Sequence, residues 1–248
     1  MKYNSNKISY ISKYLSTLKQ LHSLSYTKEK KYFDKVVSSW LYFVTRPISI
    51  FVTPVFFILK ISATQITFIG FIIGLFSLYS GFVGALLISS ILYNIFLIFD
   101  CIDGNIARLT KPTKKGEYID AITGDIINFL FIPAIGFGLF FNKNQMFLDN
   151  SFIENNIFVM ALISSIFYLL CVLVSQRKKI IFKKAEGPTR IMGNESVSLI
   201  ELFIRNSFGF AFNAPMSLLL AFFNALDILI LYNLIVLPFL LIFSVFRK

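Results

Sequence analysis

Three carboxylates and an arginine lie close together where a hydrophobic run of this chain ends and a basic loop begins. The residues of this stretch whose types and spacing could do chemistry are Asp100, Asp103, Gly104, Ala107, Arg108 and Asp120. Ionisable groups at membrane depth are costly and are normally retained for function. Three converging carboxylates repel one another, so they need a cation to offset their charge. The pattern therefore indicates a divalent metal site at a membrane surface, and with it phosphate chemistry.

The spacing of the acids suits a pair of antiparallel helices. Asp100 and Asp103 are three residues apart, which places them on one helix face. Asp120 opens the next hydrophobic run, so its carboxylate can meet the first two across the helix pair. Hard oxygen ligands favour Mg²⁺ or Mn²⁺, which proteins commonly share with substrate phosphates. The alternative is a set of helix caps and interfacial charges, but such a dense window rarely arises from capping alone.

The residues beside the acids suit an anionic ligand. Gly104 and Ala107 are small and let another helix or a flat ligand approach the backbone. Arg108 offers a planar fork that matches a diphosphate. Ordinary helix packing could equally explain the small residues.

Composition places the chain in a membrane. Of 248 residues, 56% are hydrophobic and only 15% are charged, whereas soluble domains are about 25% charged. His22 is the single histidine, so catalysis by histidine is not expected. Cys101 and Cys171 lie far apart in apolar surroundings and indicate neither a disulfide framework nor a zinc site.

The hydrophobic pattern predicts an all-α integral membrane protein with six transmembrane helices and an N-terminal interfacial amphipathic helix. We expect a cytosolic N-terminal segment over 1–47 and a six-span membrane domain over 48–248. Within that domain, 48–59 is short and contains Pro54, which favours an interfacial helix, with a re-entrant segment as the alternative. The predicted spans are 64–80, 82–102, 119–140, 152–175, 208–224 and 227–246.

The basic residues predict the orientation. With the N-terminus in the cytosol, all but one of the 24 Lys and Arg residues fall in cytosolic segments, and only Lys143 lies outside. Both termini and the acidic cluster are then cytosolic, where nucleotide substrates are found. Topology and anionic membrane lipid account for the net charge of +11, so we expect no nucleic-acid partner. The predicted location is the cytoplasmic membrane of a bacterium.

The motif resembles a known family signature. Asp100-x2-Asp103-Gly104-x2-Ala107-Arg108, followed by Gly116-x3-Asp120, resembles the signature of the CDP-alcohol phosphotransferases, also called CDP-alcohol phosphatidyltransferases. The lead-in at 46–54 and the six-span topology are also similar. The resemblance implies a homodimeric transferase of phospholipid biosynthesis. Such an enzyme would move a substituted phosphoryl group, in particular a phosphatidyl group, from a CDP-linked donor such as CDP-diacylglycerol to an alcohol acceptor, with release of CMP and a requirement for Mg²⁺ or Mn²⁺.

The resemblance also implies roles for the acids. Asp100, Asp103 and Asp120 would bind the metal, and Asp125 would be the catalytic general base. The family has its last acid four residues after the preceding one, whereas this chain has Gly124 there and the acid at the fifth position. Five helical residues turn Asp125 about 140° away from Asp120. Either the helix carries a local bulge here or Asp125 is not the base.

The remaining matched residues imply a nucleotide site. Gly104 and Ala107 would leave room for the cytidine, and Arg108 and Gly116 would help to position the nucleotide. The family often has a T-P-N-x-x-T stretch where this chain has 62–67, with Ala63 and Thr64 replacing Pro and Asn.

Two alternatives stay open at this point. A small membrane transporter would use the acids as a cation or proton site, although such sites usually lie near the midplane. An inactive family member would bind the CDP nucleotide without turnover. A second basic cluster begins at Arg177 and ends at Arg190. The favoured interpretation is a solvated face that follows the positive-inside rule, and the alternative is a site for an anionic acceptor or lipid headgroups.

Overall fold

The computed structural model describes residues 2–25, 38–182 and 212–246. Over these residues the chain is helical and contains no strand, which confirms the predicted fold class. The helices are α1 Lys2–Ser25, α2 Arg46–Ile58, α3 Ala63–Phe82, α4 Leu86–Leu109, α5 Lys114–Phe141, α6 Ser151–Phe182, α7 Asn213–Phe222 and α8 Leu226–Phe246. A π-helical turn over Leu41–Thr45 leads into α2, and a short 3₁₀ turn over Lys143–Gln145 lies between α5 and α6.

Six helices are long and apolar enough to cross a membrane, as predicted. They are Leu41–Ile58, Ala63–Phe82, Leu86–Leu109, Lys114–Phe141, Ser151–Lys178 and Leu226–Phe246. The first of them was expected to be a shorter interfacial helix. It reaches 18 residues because the π-helical turn continues the helix backwards from Arg46. The helix therefore also crosses the expected domain boundary after residue 47.

Only part of the predicted span 208–224 lies within the described residues. There, α7 is a ten-residue helix, which is shorter than the roughly 20 residues needed to cross a bilayer. The part of the second basic cluster from Lys183 to Arg190 also falls outside the described residues.

Close helix crossings hold the bundle together. A Cβ added to Gly74 of α3 would lie 2.7 Å from Cγ1 of Ile127 on α5, so only glycine allows this approach. Phe131, one turn further along α5, is 1% exposed and stacks on Tyr93 of α4 with ring centroids 3.8 Å apart. These contacts join α3, α4 and α5 into one packed unit.

The same unit brings the predicted site together. α4 ends at Leu109, and α5 begins after Thr113, whose side chain accepts a hydrogen bond from the Gly116 N–H at 3.1 Å. Such a cap satisfies one of the free N–H groups at the helix start. Because the connection is short, the last turns of α4 and the first turns of α5 lie at the same end of the bundle.

Candidate active site at the joined ends of α4 and α5

The structure brings the three predicted acids together. Asp103 is 3% exposed and accepts a hydrogen bond from Thr67 Oγ1 of α3 at 2.7 Å. Asp100 lies one turn earlier on α4 with an exposed side chain, and Asp120 is half-buried near the start of α5. The Asp120 carboxylate lies within hydrogen-bonding reach of both Asp100 and Asp103. Carboxylates this close repel one another unless a proton or a cation lies between them.

Arg46 is a neighbour of this cluster that the sequence reasoning did not include among the site residues. It is 7% exposed at the start of α2, and its charge interacts with Asp100. Its position directly before Pro47, which occupies a first-turn position of α2, was the available signal. A positive charge at this position offsets part of the negative charge of Asp100.

Arg108 lies over Gly104. A Cβ added to Gly104 would lie 3.5 Å from Nη1 of Arg108, which is ordinary van der Waals contact. Nη2 of Arg108 donates to Oδ1 of Asn105 at 2.6 Å. Ala107 is half-buried on the same turn. The end of α4 therefore presents a guanidinium group beside small residues, as the motif predicts.

Gly116 has a local reason to be glycine. A Cβ added there would lie 3.0 Å from Oγ1 of Thr113, the residue that caps α5. A side chain at this position would therefore press on the cap that starts the helix. Gly116 lies on the first turn of α5, on the same helix as Asp120.

Asp125 lies apart from the other acids. α5 is a regular α-helix from Lys114 to Phe141, without a bulge at Gly124. The Asp125 carboxylate accepts from Nε2 of Gln176 on α6 at 3.3 Å and interacts electrostatically with Tyr168. Among the residues that the structure describes, a Cβ added to Gly124 would meet nothing within 4 Å. The described part of the chain therefore leaves room for the first side-chain atom of an acid four residues after Asp120.

A cavity of about 210 Å³ extends into the bundle beside Asp100. Trp40, Tyr93, Asn128 and Tyr168 are among the other residues that line it. Tyr93 donates its hydroxyl hydrogen to Oδ1 of Asn128 at 2.6 Å. The cavity thus offers aromatic surface with a few polar groups beside Asp100.

Residues 60–245 match the model of the family described as CDP-alcohol phosphatidyltransferase, which is most of the chain. The chain belongs to this family. It is also similar to a protein of Archaeoglobus fulgidus named bifunctional IPC transferase and DIPP synthase, with 38% identity over 77 residues. That match covers 31% of this chain and 16% of the Archaeoglobus protein.

Family membership implies a membrane transferase that moves a phosphoalcohol group from a CDP-alcohol in lipid synthesis. The six apolar helices agree with an integral membrane protein of this family. Membership thereby confirms the resemblance that the motif carries. A family described as a transferase favours the transferase over the transporter alternative.

The family generally uses a divalent metal, and the donor set of this site fits one. As they stand, the described side chains include no group of three or more His, Cys, Asp and Glu arranged to hold a metal ion. The Asp120 carboxylate nevertheless lies within reach of both acids of α4, and all the donors are hard oxygens. Mg²⁺ and Mn²⁺ prefer such ligands and are often completed by substrate phosphates.

Proposed function

We propose that this protein transfers a substituted phosphoryl group, in particular a phosphatidyl group, from a CDP-linked donor such as CDP-diacylglycerol to an alcohol acceptor. CMP is the other product, and the pathway is phospholipid biosynthesis. The observation that carries the proposal is the meeting of Asp100, Asp103 and Asp120 beside Arg108 at the joined ends of α4 and α5.

In this proposal, Asp100, Asp103 and Asp120 hold Mg²⁺ or Mn²⁺. Such an ion, when bound, neutralises diphosphate charge and makes CMP a better leaving group. Thr67 restrains the carboxylate of Asp103 through its 2.7 Å hydrogen bond. Arg46 offsets part of the negative charge beside Asp100.

The nucleotide occupies the surface at the end of α4. Gly104 and Ala107 are small, so the cytidine ring can approach this turn of α4 next to the Arg108 guanidinium group that lies over Gly104. Arg108 directs its guanidinium group at the diphosphate, for which a planar fork with several donors is suited. Gly116 keeps the first turn of α5 close to Thr113, so that backbone N–H groups at this helix start remain near the nucleotide.

Asp125 is the proposed general base that takes the proton of the acceptor hydroxyl. Because α5 carries no bulge at Gly124, Asp125 would act from the α6 side of the bundle and not from beside Asp120. Tyr168, with which Asp125 interacts, lines the same cavity as Asp100. The hydroxyl group of an acceptor in this cavity would lie between the acids of α4 on one side and Asp125 on the other. The altered spacing also favours a second candidate function, a family member that binds the CDP nucleotide without turnover.

The orientation, the location and the assembly are also proposals. The distribution of Lys and Arg supports cytosolic termini and a cytosolic site, because basic segments stay on the cytosolic side. The location proposed is a bacterial cytoplasmic membrane, where the surrounding lipid supplies the donor. A homodimer is proposed from the family resemblance.

The experiment that tests this function is CMP release by the purified protein in detergent with Mg²⁺ or Mn²⁺. CDP-diacylglycerol and a pool of polar alcohols are the substrates, and Asp103→Asn is the control. Metal-dependent release that is lost in the control supports the transferase, and dividing the pool then identifies the acceptor. Release that persists in Asp103→Asn contradicts the site. CDP binding without release from any CDP-alcohol supports the second candidate.

A further inference from the structure

Asn105 joins α2 to Arg108 through a buried hydrogen-bond chain. Its side chain is fully buried on α4, one residue after Gly104. Nδ2 of Asn105 donates to Oγ of Ser49 at 3.2 Å and to Oγ1 of Thr53 at 3.0 Å, and both of these residues are fully buried on α2. On its other side, Oδ1 of Asn105 accepts from Nη2 of Arg108 at 2.6 Å.

The two hydroxyl groups determine which way round the Asn105 amide lies. Ser49 donates its hydroxyl hydrogen to the backbone oxygen of Arg46 at 2.9 Å, and Thr53 donates to the backbone oxygen of Ser49 at 2.5 Å. A hydroxyl group has one hydrogen, so each oxygen can then only accept from Asn105. The NH₂ group of Asn105 must therefore face α2, and its oxygen must face the guanidinium group.

We propose that Ser49 and Thr53 are positioning residues for the nucleotide, which act through Asn105 to hold the Arg108 guanidinium group over Gly104. This inference rests on the proposed function, because it assumes that Arg108 receives the diphosphate of a CDP-linked ligand. Its new content is that α2, which carries none of the proposed metal ligands, sets the affinity of that nucleotide site.

The direction in which these hydrogen bonds are donated gives the proposal its physical basis. Without the two acceptors on α2, the amide NH₂ group of Asn105 is buried without those partners, which favours a side-chain rotamer in which the NH₂ group reaches other acceptors. Such a movement takes Oδ1 away from Nη2 of Arg108, so the Asn105–Arg108 hydrogen bond is weakened. Arg108 then loses one of its restraints, and part of its order must be restored when the nucleotide binds.

The test measures the dissociation constant of CDP in the presence of Mg²⁺ for the full-length protein in detergent. We expect the double variant Ser49→Ala with Thr53→Val to bind CDP about tenfold more weakly, as for the loss of a hydrogen bond to a charged group. Turnover at saturating donor should change much less than KM for the donor. Thr53→Ser keeps the acceptor oxygen and should bind CDP like the wild type.

Two further variants separate positioning from general loss of structure. Asn105→Ala leaves both hydroxyl groups bonded to their backbone oxygens, so it should fold and still show the weaker binding. Ser165→Ala is the matched control on α6, since Ser165 is 3% exposed and its hydroxyl donates only to the backbone oxygen of Ala161, at 3.1 Å. It removes a buried hydroxyl group of the same kind and leaves the hydrogen bonds that lead to Arg108 unchanged.

The outcomes separate this inference from the proposed function. If both the double variant and Asn105→Ala bind CDP with wild-type affinity, the inference is overturned and the proposed function is not. An equal loss of CDP affinity in Ser165→Ala also overturns only the inference. CDP binding without CMP release contradicts the transferase, while the dissociation constants still decide the inference. No CDP binding by the wild type overturns both.

Discussion

The carboxylate of Asp125 accepts a hydrogen bond from Nε2 of Gln176 at 3.3 Å, and this contact joins α5 to α6. On a regular helix, five residues advance about 500°, which turns Asp125 about 140° away from Asp120. At Gly124, four residues after Asp120, an added Cβ would meet none of the described residues within 4 Å. The one-residue shift in the motif therefore has a structural consequence, since it turns the last acid away from Asp120 and toward a neighbouring helix.

Asp125→Asn tests the proposed base. We expect turnover to fall at least tenfold, in line with the contribution of a positioned base, while the affinity for CDP stays nearly unchanged. The amide oxygen of asparagine can still accept from Gln176, so the fold should be retained. The measurement is CMP release at saturating donor together with CDP binding. An unchanged rate would place the base elsewhere.

Gly124→Asp, made in the Asp125→Asn background, tests the position of the base. The Cβ of the new side chain meets none of the described residues within 4 Å, and aspartate has a slightly higher helix propensity than glycine. We expect part of the lost CMP release to return. If it does not, while the double variant unfolds at the same temperature as the wild type, an acid at position 124 cannot serve as the base.

Asp100→Asn and Asp103→Asn test the metal site. Each removes one charged oxygen ligand, and we expect CMP release to fall by about a hundredfold or more, since a bound metal contributes several kcal/mol to catalysis. The metal concentration for half-maximal activity should rise. Glu117→Gln makes the same change at an exposed acid on the first turn of α5 and should leave both quantities near their wild-type values.

Thr67→Val tests the support of Asp103 by α3. The substitution keeps the shape of the side chain but removes the hydroxyl group that donates to Asp103 at 2.7 Å. We expect metal affinity to fall about tenfold, the lower end of what is typical when a partner of a metal ligand is lost. Thr67→Ser should restore it. A metal titration that is identical for the valine variant and the wild type would show that Asp103 needs no such support.

Asp227→Asn tests an anchor at the other end of the bundle. Asp227 is fully buried, and its two carboxylate oxygens accept from the backbone N–H groups of Phe147 at 3.2 Å and Leu148 at 2.8 Å. Asparagine keeps only one acceptor and turns an NH₂ group toward the other N–H. We expect about 1–3 kcal/mol less stability, seen as a lower unfolding temperature, with KM for the donor unchanged. Asp149→Asn, at an exposed position in the same loop, is the control.

The motif, the family and the number of apolar helices could be read from the sequence. The reason is that these features are local. The spacing of Asp100 and Asp103 defines a helix face, a run of apolar residues defines a span, and the turn of a helix predicts that Asp125 and Asp120 diverge. The prediction of six helices was confirmed, although the sequence did not show that Leu41–Ile58 is long enough to be one of them. The π-helical turn that precedes Arg46 gives the helix this length, and no residue pattern in the sequence predicts that turn.

The partners of the site residues were decided only by the tertiary structure. Thr67 meets Asp103 from a different helix, Arg46 lies beside Asp100, and Asn105 connects α2 to Arg108. Each contact depends on how helices distant in sequence cross, and glycine at position 74 is one of the residues that allow such a crossing. The sequence by itself determined which groups do the proposed chemistry, because their types and spacing lie within one short segment. The packing of α2, α3 and α6 decided which side chains hold those groups in place, because buried polar atoms must find partners wherever the fold brings them.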